Sequence, residues 1–365
     1  MMRIINYQGV EQLAVFVMEQ SEVEMHLSQN KNVIFLKGTT LYLFQKLEIS
    51  KYLISNENCT LQNGDVVLIL KNGRIQKEFS ASTASQTIVT TNQCNSNCIM
   101  CPDSVKLRTR PNEITPENLK EQISGIDPAV EHVDITGGEP TLLREKLPVL
   151  IEEVFRQAPD AEVLMLSNGR SFAARGYAEQ FAAFAHKRLK IEIPVHGDYS
   201  ELHDQIAGCP GSFVQTRAGI HHLLEAGVEV GIRIVVSRLN YSRLNELIRF
   251  ISREFPEIKY VNLMGMEVLG NAWKNREQVW IEFDEVKDSL QQAVEQCFAC
   301  GIIPSLYNFP LCMFDRKYWY CYRNSISDYK IRYFTECDRC EQKSRCGGFF
   351  ASTYRYTRYK VRVQS

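Results

Sequence analysis

The chain has 365 residues, 44% of them hydrophobic and 23% charged, the ordinary balance of a soluble globular fold. Its 42 basic and 43 acidic residues leave a formal net charge of −1, which argues against nucleic-acid and anionic-membrane partners. No run approaches the roughly 18 apolar residues of a membrane span. The length points to a main domain with appendages. Twelve cysteines, and no apolar signal segment in Met1-Met2-Arg3-Ile4-Ile5-Asn6-Tyr7, predict a reducing, cytoplasmic setting. There, metal or cluster binding outranks disulfides.

Residues 1–85 read as a small β-rich N-terminal domain. Val33-Ile34-Phe35-Leu36 and Leu41-Tyr42-Leu43-Phe44 are short apolar runs around a Gly38-Thr39-Thr40 break, and Asn63-Gly64 marks a further turn. Val66 to Leu70 and Ile75 to Phe79 flank Asn72-Gly73, a strong hairpin signal because both residues tolerate positive φ. Cys59 is isolated and reads as a small buried hydrophobe. Ser80-Ala81-Ser82-Thr83-Ala84-Ser85 has linker composition. No chemistry shows in this unit.

From residue 86 the pattern alternates. Thr87–Thr91, His132–Thr136, Glu162–Leu166, Lys190–Val195, Glu229–Val236 and Tyr260–Met264 read as strands. Thr115-Pro116-Glu117 reads as a helix start, with a capping Thr, Pro at the first helical position and an early acid. Leu142 to Gln157 and Phe172 to His186 are apolar-periodic, and Ser212 to Ala226 ends at Gly227, a C-terminal glycine. Asn240 is expected to cap a helix whose Leu244, Leu247, Ile248 and Ile251 form an i, i+3, i+4, i+7 stripe. Six strands with intervening helices predict an α/β fold with a parallel sheet, as an open sheet or a partial barrel. Ligands of such folds gather at the C-terminal strand ends, where the notable residues fall.

Cys94, Cys98 and Cys101 follow the first of these strands at spacing C-x3-C-x2-C. Three thiols in one loop suit a metal or an iron–sulfur cluster, and they cannot pair into disulfides without leaving one over. A [4Fe–4S] cluster normally takes four Cys thiolates, so three local ligands would leave one iron open. A zinc loop and three unrelated cysteines are the plainer alternatives. Gly137-Gly138-Glu139-Pro140 follows the second strand, Ser167-Asn168-Gly169 the third, and His196-Gly197 the fourth. Arg233 sits among apolar residues of the fifth; a carboxylate-binding role and an outward-facing strand position are both open.

The Cys loop, with Met100 as its apolar residue, resembles the signature of the radical S-adenosylmethionine (SAM) superfamily, and Gly137-Gly138-Glu139 resembles that superfamily's GGE motif. The resemblance implies a partial (β/α)6 TIM-type barrel at residues 86–285. It implies a [4Fe–4S] cluster on Cys94, Cys98 and Cys101, whose open iron is chelated by SAM, and cleavage of SAM to a 5′-deoxyadenosyl radical. It assigns Gly137, Gly138 and Glu139 to the SAM amino group, Ser167 and Asn168 to its carboxylate or ribose, and Met100 to adenine. Met100 can equally pack with no ligand, and Ser167-Asn168 can equally form a turn. His196 and His203 fall in a stretch common in peptide-modifying members, where His203-Asp204 is structural.

Residues 286–365 form the expected C-terminal Cys-rich domain. Cys312, Cys337, Cys340 and Cys346 suit a fully ligated second [4Fe–4S] cluster or a tetrahedral zinc, with Cys321 the rival to Cys312. They resemble the shortened auxiliary-cluster domain of radical SAM maturases; no Cys follows Cys346, which departs from the longer form. Cys297 and Cys300 lie late in an amphipathic helix and read as core. The alternating basic and aromatic tail from Tyr354 to Val363 could stack nucleic acid, but a half-buried edge strand explains the same alternation and is the favoured reading.

Thr91 to Pro102, Leu311-Cys312 with Ser327-Asp328-Tyr329, and Cys346-Gly347-Gly348-Phe349-Phe350 resemble the maturases of His-Xaa-Ser repeat peptide systems. The resemblance implies a ribosomally made precursor peptide as substrate, a flavodoxin- or ferredoxin-type electron donor and a partner radical SAM maturase. Two other classes stay open: a radical SAM enzyme acting on RNA or a small cofactor precursor, and a zinc-binding scaffold without activity. No side chain stands out as acid, base or radical relay.

Overall fold

The computed structural model describes residues 3–9, 12–17, 23, 32–37, 40–45, 48–55, 61, 66–69, 71–79, 85–112, 114–184, 188–326 and 328–364. Cys59, Gly38-Thr39, Asn63-Gly64, the stretch 80–84, His186 and Ser327 lie outside the described residues. The chain divides into two compact units. One comprises Met1–Val89, Ile114–Ile135 and Val149–Val163; the other comprises Thr90–Glu113, Thr136–Pro148 and Leu164–Ser365.

The N-terminal strands are β1 (Arg3–Ile4), β2 (Gln12–Val17), β3 (Val33–Lys37), β4 (Thr40–Gln45), β5 (Glu48–Ser55), β6 (Val66–Ile69) and β7 (Ile75–Phe79). They form one sheet in the order β1-β5-β4-β3-β2-β6-β7. All its registered pairs are antiparallel except β2 with β3. Ile34, Leu41, Leu43, Val67 and Ile69 build its core, on the period of two that a one-sided sheet requires. The expected hairpin forms, with Ile69 opposite Ile75. Lys71, Asn72, Gly73 and Arg74 lie in its connection, as expected. Only Gly73 of the Asn-Gly pair takes positive φ, at +78°. Asn72 Oδ1 instead accepts from the Arg74 amide at 3.0 Å, an Asx-type bond that needs no left-handed backbone at Asn72.

The second sheet contains β8 (Ser85–Val89), β9 (His132–Thr136), β10 (Glu162–Leu166), β11 (Leu189–Pro194), β12 (Glu229–Val235), β13 (Tyr260–Met264), β14 (Ile303–Tyr307) and β15 (Tyr322–Arg323). Their order is fully sequential, as right-handed βα units wound one after another require. The registered pairs from β11 to β15 are parallel, and the sheet curls into a half-barrel. The six expected strands are present within one or two residues at each end. β14 and β15 extend the sheet beyond them, and the junction expected between residues 285 and 286 falls inside the helix Phe283–Ala299. Ile193, Ile232, Ile234, Val261 and Leu263 are fully buried. In the alternate positions Glu192, Arg233 and Asn262 gather polar groups on the opposite face.

The helices follow their end signals. Thr115 and Asn118 form a reciprocal capping box with Pro116 at the start of Pro116–Ser124. Ser212–Glu225 ends at Gly227, φ +80°. Leu244–Glu254 buries Leu244, Leu247, Ile248 and Ile251, the stripe read from the sequence. Asn240 does not cap as expected. It is fully buried, and its Oδ1 accepts from Ser237 N and Oγ while its Nδ2 donates to the His196 and Val235 carbonyls. Those partners outcompete a cap because they bury every polar atom of the amide.

The tail is likewise not a strand. β16 (Ile331–Arg332) pairs with β17 (Phe349–Phe350), a short helix Ala351–Tyr354 follows, and residues 355–364 run irregularly. Their polar groups are met by a carboxylate: Thr357 Oγ1 and the Arg358 amide donate to Glu282. Tyr359 buries its ring against Phe283 and Phe349. Among the described residues, no helix is long and apolar enough to cross a membrane.

Candidate functional site

The parallel sheet places three loops at the same ends of consecutive strands, after β8, β9 and β10. Backbone bonds join the first two. Gly138 N donates to Thr91 O at 2.7 Å, and Glu139 N to Gln93 O at 2.8 Å. Gly138 is required here, because a Cβ would lie inside contact distance of the Gln93 carbonyl oxygen. Gly137 takes φ +144°. The two glycines thus let the second loop lie against the backbone that leads into Cys94, a role within the chain itself.

Glu139 ties in the third loop. It is fully buried. Its Oε1 accepts from Thr141 N and Oγ1 and from Ser167 Oγ, and its Oε2 accepts from Asn168 N at 2.7 Å. Burial pushes its carboxyl above the usual carboxylate range, and these donors offset only part of the rise. Asn168 turns its Nδ2 to Asn95 Oδ1 at 2.6 Å, with Cys94 Sγ at 3.9 Å. The sequence-predicted Gly137, Gly138, Glu139, Ser167 and Asn168 therefore converge on the start of the cysteine loop.

The loop itself is held along its length. Asn97 N and Ile99 N donate to the Ala207 and Ile206 carbonyls at 3.0 Å, at the end of the helix Ser200–Ala207. Gly208, at φ +59°, lets that helix end pass the Asn97 carbonyl. Asn271 Nδ2 donates to Cys98 O, and Asn275 Nδ2 to Ile99 O. Arg108 donates to Ser96 O at 3.0 Å and Asn97 Oδ1 at 2.8 Å. Arg170 reaches Asn95 O and Ser96 Oγ. None of these four anchors stood out in the sequence. Asn271 and Asn275 sit one helical turn apart, a signal that could have flagged them; the burial of Arg108 has no sequence signal.

Burial pushes the Cys98 thiol up to about 12, with the neighbouring Cys101 and Cys94 adding to the rise. Cys94 and Cys101 are also raised, chiefly by burial, and Arg108 acts against the rise at all three. A bound metal cluster would replace those protons. The donor set, three thiols of one braced loop beside a buried cation, fits such a cluster. Among the described residues, no three His, Cys, Asp or Glu side chains meet closely enough to hold a single metal ion.

Met100 is buried with Leu202, Ile206, Met266, Ala272 and Val279, an apolar wall beside the loop. Arg233 finds its partners within the sheet: Glu192 Oε2 at 3.3 Å and Met264 Sδ at 2.8 Å. His203 Nδ1 accepts from His196 N at 3.2 Å. Asp204 accepts from Gly211 N, Ser212 Oγ and Phe213 N, which satisfies the start of the next helix.

In the C-terminal region, Cys312, Cys337, Cys340 and Cys346 line one cavity with Leu311, Tyr333 and Phe349. Cys346 Sγ accepts from the Leu311 and Gly348 amides, and Cys340 Sγ from Gln364 N. Tyr359 Oη lies 3.6 Å from Cys312 Sγ. Cys321 does not line this cavity; it is buried and adds to the rise in the Cys297 thiol along with Cys300.

Residues 88–251 match the family model described as the radical SAM superfamily. GTP 3′,8-cyclase of Sulfurimonas denitrificans is 26% identical over 212 residues, 57% of this chain and 63% of that protein. AdoMet-dependent heme synthase of Methanosarcina barkeri is 27% identical over 170 residues, 46% of each. The chain thus spans less than two thirds of the length of these relatives. SuiB of Streptococcus suis, solved bound to S-adenosylmethionine, shares the fold at 15% identity and a TM-score of 0.50, covering 68% of this chain and 54% of that one. The cysteine loop and the GGE turn, together at the ends of consecutive strands, both lie within the segment 88–251 that matches the radical SAM superfamily model.

Proposed function

We propose that the protein is a radical SAM enzyme that modifies a ribosomally made precursor peptide. The observation that carries the radical SAM reading is the cysteine loop, bonded through Gln93 to Glu139 and through Asn95 to Asn168. Gly138, Glu139 and Asn168, which the superfamily resemblance assigns to SAM, are thereby tied to the start of the cysteine loop. Cys94, Cys98 and Cys101 would hold a [4Fe–4S] cluster, which would supply one-electron cleavage of SAM and, through it, hydrogen abstraction from the substrate. The chain's own part is placement. Gly137, Gly138 and Glu139 shape the edge for the SAM amino group, Asn168 the edge for its carboxylate or ribose, and Met100 an apolar wall toward adenine. Arg233, the further candidate for a carboxylate, would have to exchange Glu192 for it.

The peptide reading is supported by the segments that resemble His-Xaa-Ser maturases and by the four-cysteine cavity. We assign Cys312, Cys337, Cys340 and Cys346 to a second [4Fe–4S] cluster. The four line one cavity, and tetrahedral zinc on the same thiols is the alternative. A flavodoxin- or ferredoxin-type donor and a partner radical SAM maturase complete the reading. A small cofactor precursor is the second reading, favoured by relatives named GTP 3′,8-cyclase and AdoMet-dependent heme synthase.

The test is iron and sulfide content of anaerobic protein, with 5′-deoxyadenosine formed from SAM under dithionite. About eight irons per chain are expected, with SAM cleavage abolished in Cys98→Ala. Cys340→Ala is expected to drop the content to about four irons. Wild-type protein with zinc and no 5′-deoxyadenosine would refute the enzyme reading. Mass analysis of a co-expressed precursor peptide, against GTP as a competing substrate, separates the two substrate classes.

A further inference from the structure

We infer that Arg108 is a fixed positive charge that braces the cysteine loop and stabilises the reduced state of the cluster held there. The inference rests on the radical SAM reading of Cys94, Cys98 and Cys101.

Arg108 lies on the helix Val105–Thr109 just past the loop and is only 7% exposed. Its two terminal nitrogens donate to Ser96 O and Asn97 Oδ1. Both acceptors lie between Cys94 and Cys98. The fork is braced from its far side, because Asn97 Oδ1 also accepts from Asn271 Nδ2 at 3.2 Å. A planar guanidinium meets two such acceptors with a rigid fork, which an ammonium on a flexible stem lacks. The charge is nevertheless uncompensated. Arg108 Nε is buried with no hydrogen-bond partner, and no carboxylate pairs with Arg108 among the described residues.

A buried guanidinium without a counter-charge is costly. The cost is recovered where negative charge arrives, and a cluster held by three thiolates brings it into this loop. When one electron enters from a one-electron donor, dithionite in the test, the site gains one further negative charge. A fixed cation stabilises that reduced form more than the oxidised form and so raises the reduction potential.

The measurement is an EPR-monitored dithionite titration of the reconstituted full chain, following the signal that changes on adding SAM. Wild type is compared with Arg108→Gln and Arg108→Lys at matched iron content. Arg108→Gln is expected to shift the midpoint to a more negative potential, and Arg108→Lys, which keeps the charge but loses the fork, to stay near wild type. Equal potentials in wild type and Arg108→Gln overturn the inference. So does an Arg108→Lys shift as large as that of Arg108→Gln. Should Arg108→Gln fail to fold, Arg108→Met takes its place: a lowered potential supports the inference and a wild-type potential overturns it. Wild-type protein that takes up no iron or sulfide overturns the radical SAM reading as well. Loaded wild type with unshifted variants overturns this inference alone.

Discussion

Glu139 accepts four hydrogen bonds from three neighbours in a fully buried position, so its carboxylate is the knot between the second and third loops. Glu139→Gln exchanges one acceptor oxygen for a donor that faces the Asn168 amide or the Thr141 and Ser167 donors. An unsatisfied buried donor costs about 1–3 kcal/mol. A destabilisation of about 2–4 kcal/mol in urea unfolding is the expected outcome, two mispaired donors setting the upper end. An unchanged midpoint would show that the knot bears no load. The sequence made Gly137, Gly138 and Glu139 legible as a motif through their order, after the Cys loop and directly after a strand. It did not show that Gly138 is needed for the Gln93 backbone, since that partner is set by the pairing of two loops 45 residues apart.

At the scale of elements, the segment after β11 is built around two buried imidazoles. Burial holds the His203 pKa down, from 6.5 to about 4, with Asp204 pulling up and Arg170 pushing down; His196 is lowered further by burial and by His203. The unfolded chain therefore binds more protons than the folded one below about pH 6.5, and stability rises with pH across that range. The contribution is fully present above pH 6.5 and is lost as pH falls toward 4. For His203 it amounts to roughly 3 kcal/mol. Urea midpoints measured from pH 7 to pH 4 are expected to fall, and His203→Gln is expected to flatten that fall. A slope identical to wild type would place the pH dependence elsewhere. Asn240 and the tail belong to this scale too. Asn240 carries a helix-capping residue type, yet two strand-end carbonyls claim its amide. The tail alternates like a strand, yet Glu282 meets its backbone. In both cases a distant polar partner overrides a local preference.

For the whole molecule, the strands Ile303–Tyr307 and Tyr322–Arg323 matter most. They continue the sheet beyond β13, so residues past 285 complete the half-barrel as well as carrying the second cysteine group. A chain ending at residue 300 would expose the long apolar edge of β13, a template for aggregation. Such a truncation is expected to go into the insoluble fraction on expression, and a soluble monomer by size-exclusion chromatography would refute this. Cys312 sits on a short turn between β14 and β15, and Cys337, Cys340 and Cys346 lie at short turns after them.

The sequence by itself determined the period-two apolar runs, the helix ends at Thr115-Pro116 and Gly227, and the three-cysteine loop with its GGE partner. Each is a local pattern, and local patterns survive without knowledge of what packs nearby. Only the tertiary structure decided which groups meet. It buried Arg108 within the loop it braces, gave Arg233 to Glu192, moved Cys321 toward Cys297 and put Cys312 on the cavity. These are pairings between residues far apart in the chain, and they are fixed by sheet order and burial, which no spacing along the sequence encodes.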